Sequence, residues 1–255
     1  MTEHPGFGAM LTRLLDKREL SAQGLADRAG LDADEVRAVL AGGSPGKEFL
    51  RQVGPELGFH AVDLFILARL AVPDEMAPLD ASAATWVKST VTDAVLLPEA
   101  NRLELLRLVR ALPQEKRRSS FAPKLLAPLA GGPGAWVIRM LQYRNLNWLG
   151  IAMTLGLVTP TYLSASTYGM IGSDREELTP RLVTDFAALL AIDARDLATL
   201  TDVVLSGVPP PPPPAAADAA TLLWEMRRLS AAQAQHTSDV AHSMRGASRD
   251  GDQVG

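Results

Sequence analysis

A 26-residue helical segment occurs twice in this chain, 126 positions apart. Residues 6–31 and 132–157 align without a gap. Gly6, Gly8, Ala9, Arg13, Leu15, Arg18, Leu20, Gly24, Ala26, Gly30 and Leu31 recur as Gly132, Gly134, Ala135, Arg139, Leu141, Arg144, Leu146, Gly150, Ala152, Gly156 and Leu157. Composition alone would give roughly two or three matches, so the chain carries one structural module in two copies. Downstream, a shift of 133 aligns Phe49, Leu57, Phe59, Asp63 and Leu64 with Leu182, Leu190, Ile192, Asp196 and Leu197. The seven extra residues are expected after the third helix of the second copy.

Apolar residues recur at three-to-four spacing, with no run of alternating β-branched residues, so the expected fold class is all-α. Two five-helix modules, 6–72 and 132–206, flank a helical connector, 73–131. Asp80 is a good cap for a connector helix through Trp86, Val87, Val91 and Val95. Pro98 opens a second, which Leu112-Pro113 ends. A short third stretch is expected around Leu125, Leu126 and Leu129. Pro209–Pro214 reads as a polyproline II linker (207–215) of about 19 Å. A single C-terminal helix over about 216–245 follows, then a disordered tail, 246–255. In that helix Leu222, Met226, Leu229, Gln233, His236 and Val240 have the spacing of a coiled-coil seam with a polar centre, so a weak or register-specific homodimer through it is one expected assembly, and packing back onto the body, to which Trp224 adds apolar area, is the alternative.

In the first module, Leu11, Leu14 and Leu15 line one helix. Ser21 caps a second with Leu25, Ala26 and Ala29, and Gly30 ends it in a left-handed turn. Asp32 caps a third helix with Val36 and Val39, which stops at Gly42-Gly43. Phe49, Val53 and Leu57 mark a fourth helix; Phe59, Val62, Leu64 and Phe65 begin a fifth. This string, followed by Leu57-Gly58-Phe59 and Asp63-Leu64, resembles the Cro/repressor-type helix-turn-helix family, the XRE family, over residues 8–66. The resemblance implies a lambda-repressor-like five-helix domain whose third helix enters the major groove of double-stranded DNA. Carried over position by position, it implies DNA contacts at Ser21, Gln23, Ala33, Asp34, Arg37 and Lys47. The sequence departs from the family at Ala22, where a phosphate-touching glutamine is usual. It also places Asp34 and Glu35 where phosphates repel negative charge. A scaffold that keeps the fold without the DNA contact is the competing reading.

In the second module, Thr159-Pro160 is expected to start the third helix. That would put Thr161, Tyr162 and Ser164 on the reading face, with Arg144, Asn145 and Asn147 set against phosphates. Tyr162 and Tyr168 packed against the connector is the alternative. Residues 101–124 hold Arg102, Arg107, Arg110, Lys116, Arg117, Arg118 and Lys124 against Glu104 and Glu115. This is the one basic stretch, expected either to clamp a DNA backbone or to be a solvated helix face.

Other chemistry is thin. The net charge of −4 gives no long-range attraction to nucleic acid. There is no cysteine, which removes disulfides and thiolate sites. The four histidines lack metal-ligand spacing, and no phosphate loop or nucleophile elbow occurs, so neither an enzyme nor a cofactor is expected. The N-terminus has no secretory pattern and no apolar run is long enough to span a bilayer, so a cytoplasmic protein without membrane contact is expected. Arginine far outnumbers lysine, the usage expected of a GC-rich bacterial genome. Two functions follow from these readings: a bacterial transcription regulator that reads DNA through one or both modules, or a protein-interaction module of a regulatory system that no longer binds DNA.

Overall fold

Ser21 accepts a hydrogen bond from the Gly24 amide at 3.0 Å, Gly30 adopts φ +66°, and Asp32 accepts from the Asp34 amide at 2.7 Å. These three local devices cut the first unit into α1 (Phe7–Lys17), α2 (Ala22–Ala29) and α3 (Ala33–Leu40). Each leaves one orphaned helix end satisfied. Then come α4 (Lys47–Glu56) and α5 (Ala61–Leu67). Leu11, Leu14, Leu25, Val36, Phe49 and Phe65 meet in the core between them. The computed structural model describes residues 4–123 and 131–252, and among these the chain is all-helical.

The connector folds as α6 (Ala84–Ala94) and α7 (Glu99–Ala111), and the second unit as α8 (Pro133–Gln142), α9 (Trp148–Val158), α10 (Ala165–Gly172), α11 (Pro180–Leu190) and α12 (Ala194–Thr201). The expected start of its third helix at Thr159-Pro160 is displaced. Gly156 remains helical and α9 continues to Val158, where the Thr159 hydroxyl donates back to the Leu155 carbonyl at 2.8 Å. Ser164 is the true cap of α10, accepting from the Thr167 amide at 3.2 Å. Helix three therefore aligns at a shift of 132, so six of the seven inserted residues lie before it rather than after it. The turn between helices two and three is 30–32 in the first unit and 159–164 in the second.

The repeated glycines have structural duties. A Cβ on Gly8 would stand 2.2 Å from the Val39 carbonyl oxygen, and one on Gly134 would stand 2.3 Å from that of Ile171. Helix one of each unit thus touches the end of helix three through a glycine.

The C-terminal helix is two helices, α13 (Pro214–Met226) and α14 (Ala231–Asp252). The break comes where the Arg227 carbonyl accepts from the Leu79 amide at 2.8 Å. Ser230 and Gln233 then form a reciprocal cap, and Asp80 accepts from the Ala231 amide at 2.9 Å. The helix runs past residue 245 into the segment expected to be a disordered tail. Leu222, Met226 and Leu229 of the expected seam are buried inside the chain, and α14 turns Ala234, Thr237, Ser238 and Ala241 onto the body. Its main neighbour is α6. The apolar surface expected to form a dimer is therefore used internally. The stretch expected around Leu125, Leu126 and Leu129 lies outside the described residues, as does Lys124. Among the described residues, no helix is long and apolar enough to cross a membrane.

Candidate nucleic-acid interface

The two units grip each other through equivalent residues. α1 packs on α12 and α8 packs on α5, so helix one of each unit meets helix five of the other. Arg18 forms a short, charge-assisted bond to Asp196 and donates to the Leu57 carbonyl at 2.8 Å. Arg144 donates to both carboxylate oxygens of Asp63 at 2.7 and 2.9 Å, and to the Leu190 carbonyl at 3.0 Å. Arg18 and Arg144 are repeat mates, as are Asp63 and Asp196, and Leu57 and Leu190. The contact is isologous, like that of a two-fold dimer, within one chain.

This corrects the expectation that Arg144 touches a phosphate: its side chain is 1% exposed and bound to a fully buried carboxylate. Asn145 is buried too and donates to the Asp80 carbonyl at 2.9 Å. The signal was present in the sequence, because the arginine and the aspartate are both duplicated. Beside this pair, His60 stacks on Trp224 with ring centroids 3.4 Å apart. Burial, aided by the Arg144 charge, pushes His60 down to about 4, so its ring is neutral at pH 7.

The first unit presents its expected contacts outward. Ser21 is exposed at the start of α2, Gln23 donates to Asp27 at 2.8 Å, and Lys47 opens α4. On α3, Ala33 is half-buried and Asp34 and Arg37 are exposed. Arg37, however, donates to Asp34 at 2.5 Å. An exposed i,i+3 pair of this kind is worth a few tenths of a kcal/mol, about 0.2–0.5, so the guanidinium is easily released. Residues 21–48 carry Arg28, Arg37 and Lys47 against Asp27, Asp32, Asp34, Glu35 and Glu48.

The second unit is different. Thr161 is buried and accepts from Arg181 at 3.1 Å. It therefore faces no groove. Tyr162 is 87% exposed but belongs to the widened turn, not to α10. Asn147 and Ser164 are spent as caps of α9 and α10. By the corrected register, Tyr168 takes the core position of Val36, and the positions of Asp34, Arg37 and Ala38 become Ser166, Gly169 and Met170. From Asn145 to Ser173 no residue is charged. Leu149, Leu157 and Met170 are exposed there.

Nor is the basic stretch a free clamp. Arg102 pairs with Asp218 at 2.6 Å and Arg110 with Glu225 at 2.9 Å. Arg117 donates to the carbonyls of Asp74, Ala77, Pro78 and Leu79. These arginines fasten the connector to α13 and to the 74–79 loop. Arg107, Lys116 and Arg118 remain exposed. Among the described residues no group of three His, Asp or Glu side chains is placed to hold a metal ion.

No family model, curated protein or solved structure matches this chain.

Proposed function

We propose that the protein is a bacterial, cytoplasmic transcription regulator that reads double-stranded DNA through its first unit alone. The observation that carries this reading is the uncovered outer face of α3. It follows a three-residue turn and is flanked by the exposed residues Ser21, Gln23 and Lys47. Together with the helix-turn-helix resemblance over 8–66, this favours insertion of α3 into a major groove. Arg37 is its base reader, through a guanine edge. Arg28 and Lys47 are its phosphate contacts. The second unit supplies a rigid partner surface, because a chargeless face has no counterions to release from phosphate.

Fluorescence anisotropy with DNA from the protein's own promoter region tests the reading. Three cations at about −0.9 per phosphate imply a salt slope no steeper than about −3. Arg37→Ala should weaken binding by about 1–3 kcal/mol and relax base preference. Absence of any salt-dependent binding at low ionic strength would overturn the proposal.

A second reading, a protein-interaction module, is favoured by one observation. Leu149, Leu157, Tyr162 and Met170 are all exposed on the uncharged half, an apolar composition that suits protein contact better than phosphate. It gains if DNA binding is absent while Tyr162→Ser abolishes association with a co-purifying protein.

A further inference from the structure

Two clefts flank the paired units, and the internal two-fold relation exchanges them. In the first, Arg13 of α1 meets Asp202, just past α12, at 2.8 Å. Lys17 beside it donates to the Arg195 carbonyl at 2.5 Å and to the Thr199 hydroxyl at 2.8 Å. That cleft holds an ion pair between the two units.

In the second cleft, Arg139 of α8 takes the place of Arg13. Just past α5, the place of Asp202 is taken by Arg69. The backbone is the same at both positions, with φ +57° at Arg69 and +60° at Asp202. The side chain has changed from a carboxylate to a guanidinium. Two arginines therefore line a cleft whose equivalent holds an ion pair. Neither has a hydrogen-bond or ion-pair partner among the described residues, and Arg69 lies 5.9 Å from the centroid of the Trp136 ring.

The rest of the cleft suits an organic anion. It encloses about 270 Å³, with Ile66, Leu70, Trp136 and Tyr143 among its walls and no carboxylate among its lining residues. That is near the lower end of ligand pockets, about 300 Å³, so one ring with a short substituent is the size that fits. Trp136 is buried, with its indole N–H enclosed and without an acceptor, so the ring rather than the N–H is what the cleft offers a ligand. Burial raises the Tyr143 hydroxyl above its usual range and keeps it a donor. Asp74, whose charge reaches Tyr143, accepts instead from Ser120 at 3.3 Å.

We propose that this cleft binds a small aromatic carboxylate. Its carboxylate stands between Arg69 and Arg139, in the role that the Asp202 carboxylate has toward Arg13 in the sister cleft, and its ring packs on Trp136. Bidentate guanidinium–carboxylate bonds supply the specificity and the aromatic wall supplies the contact area. The ligand bridges α5 of one unit and α8 of the other. This inference is independent of DNA binding.

Calorimetry on the full chain tests it, with benzoate as the probe and benzamide as its uncharged isostere. Benzoate should bind at one saturable site and shift the Trp136 indole N–H resonance. Benzamide should bind at least about tenfold more weakly. Arg69→Asp rebuilds the ion pair of the sister cleft and should abolish benzoate binding. Arg139→Met should weaken it about tenfold. Both positions are exposed, so circular dichroism of either variant should be unchanged. The proposal is overturned if about 10 mM benzoate, tenfold above a Kd of about 1 mM, gives neither heat nor a resonance shift. Equal binding of benzamide, or undiminished benzoate binding by Arg69→Asp, overturns it as well.

Discussion

In the first unit Gly30 turns left-handed and α2 stops; in the second its repeat mate Gly156 stays helical and α9 runs on to Val158. The glycine is the same and the outcome is opposite. The difference lies two residues later. Asp32 caps α3, which rewards an early stop, whereas its counterpart Val158 has no capping oxygen and is buried as one more helical residue. Glycine permits the left-handed turn, and the next cap decides whether it is taken. The same division runs through the whole molecule. At the buried grip between the units and at the close helix approaches within them, residues repeat: Arg18 and Arg144, Asp63 and Asp196, Gly8 and Gly134. Where they face outward, one half is charged and the other bears no charge for 29 residues, 145–173.

The comparison can be broken most severely at the paired aspartates. Asp63→Ala strands a fully buried Arg144 and should cost about 3–5 kcal/mol in urea denaturation. Asp196→Ala should cost less, about 1.5–3 kcal/mol, because Arg18 is 28% exposed and water can solvate it. Equal losses would show that the two grips are energetically the same despite their burial. Next come the close approaches. Gly8→Ala and Gly134→Ala should each cost about 1–3 kcal/mol, since a carbonyl oxygen stands where the methyl would go. A neutral variant in either unit would show that helices one and three there can slide apart.

A sharper contrast is one of sign. Gly30→Ala should destabilise by about 1–2 kcal/mol, the strain of a left-handed alanine. Gly156→Ala should be neutral or stabilising by up to about 1 kcal/mol, as the substitution is within a helix. The nearest obstacle there is the Tyr162 ring, 2.9 Å from the new methyl and exposed enough to swing aside. If Gly156→Ala destabilises as much as Gly30→Ala, α9 stops early in solution. The smallest effect belongs to the caps. Ser21→Ala and Asn147→Ala should each lose about 1 kcal/mol, and similar values would mark this as one function both copies keep.

Short-range features of the fold were legible in the residues. Ser21, Asp32 and Leu112-Pro113 set helix ends through groups one to four positions away, whereas Asp80 caps only the 3-10 turn Ala81–Ala83 that leads into α6. Thr159-Pro160 was misleading because a threonine before a proline is a strong start signal locally, while here the hydroxyl bonds backward to Leu155. The division at Arg227 was hidden because the Leu79 amide that takes its carbonyl comes from a distant loop. The interface was harder still. Arg144 next to two asparagines has the composition of a phosphate contact, and only its partner 81 residues upstream turns it into core. For the first unit, Ser21, Gln23, Asp34, Arg37 and Lys47, the positions implied by the helix-turn-helix resemblance, stand exposed. For the second, the widened turn removed Thr161 and Tyr162 from the helix that was to carry them.

The exchanged arginines also set a timetable. Asp63 precedes Arg144 by 81 residues, so the second unit's arginine emerges from the ribosome to find its carboxylate already made. Arg18 must wait for Asp196, 178 residues later, which at about 5–20 residues per second is roughly 9–36 s. During that interval the α1 surface that α12 will cover has nothing to rest on. The half of the protein that is synthesised first stays unfinished until the last helix of the other half is made.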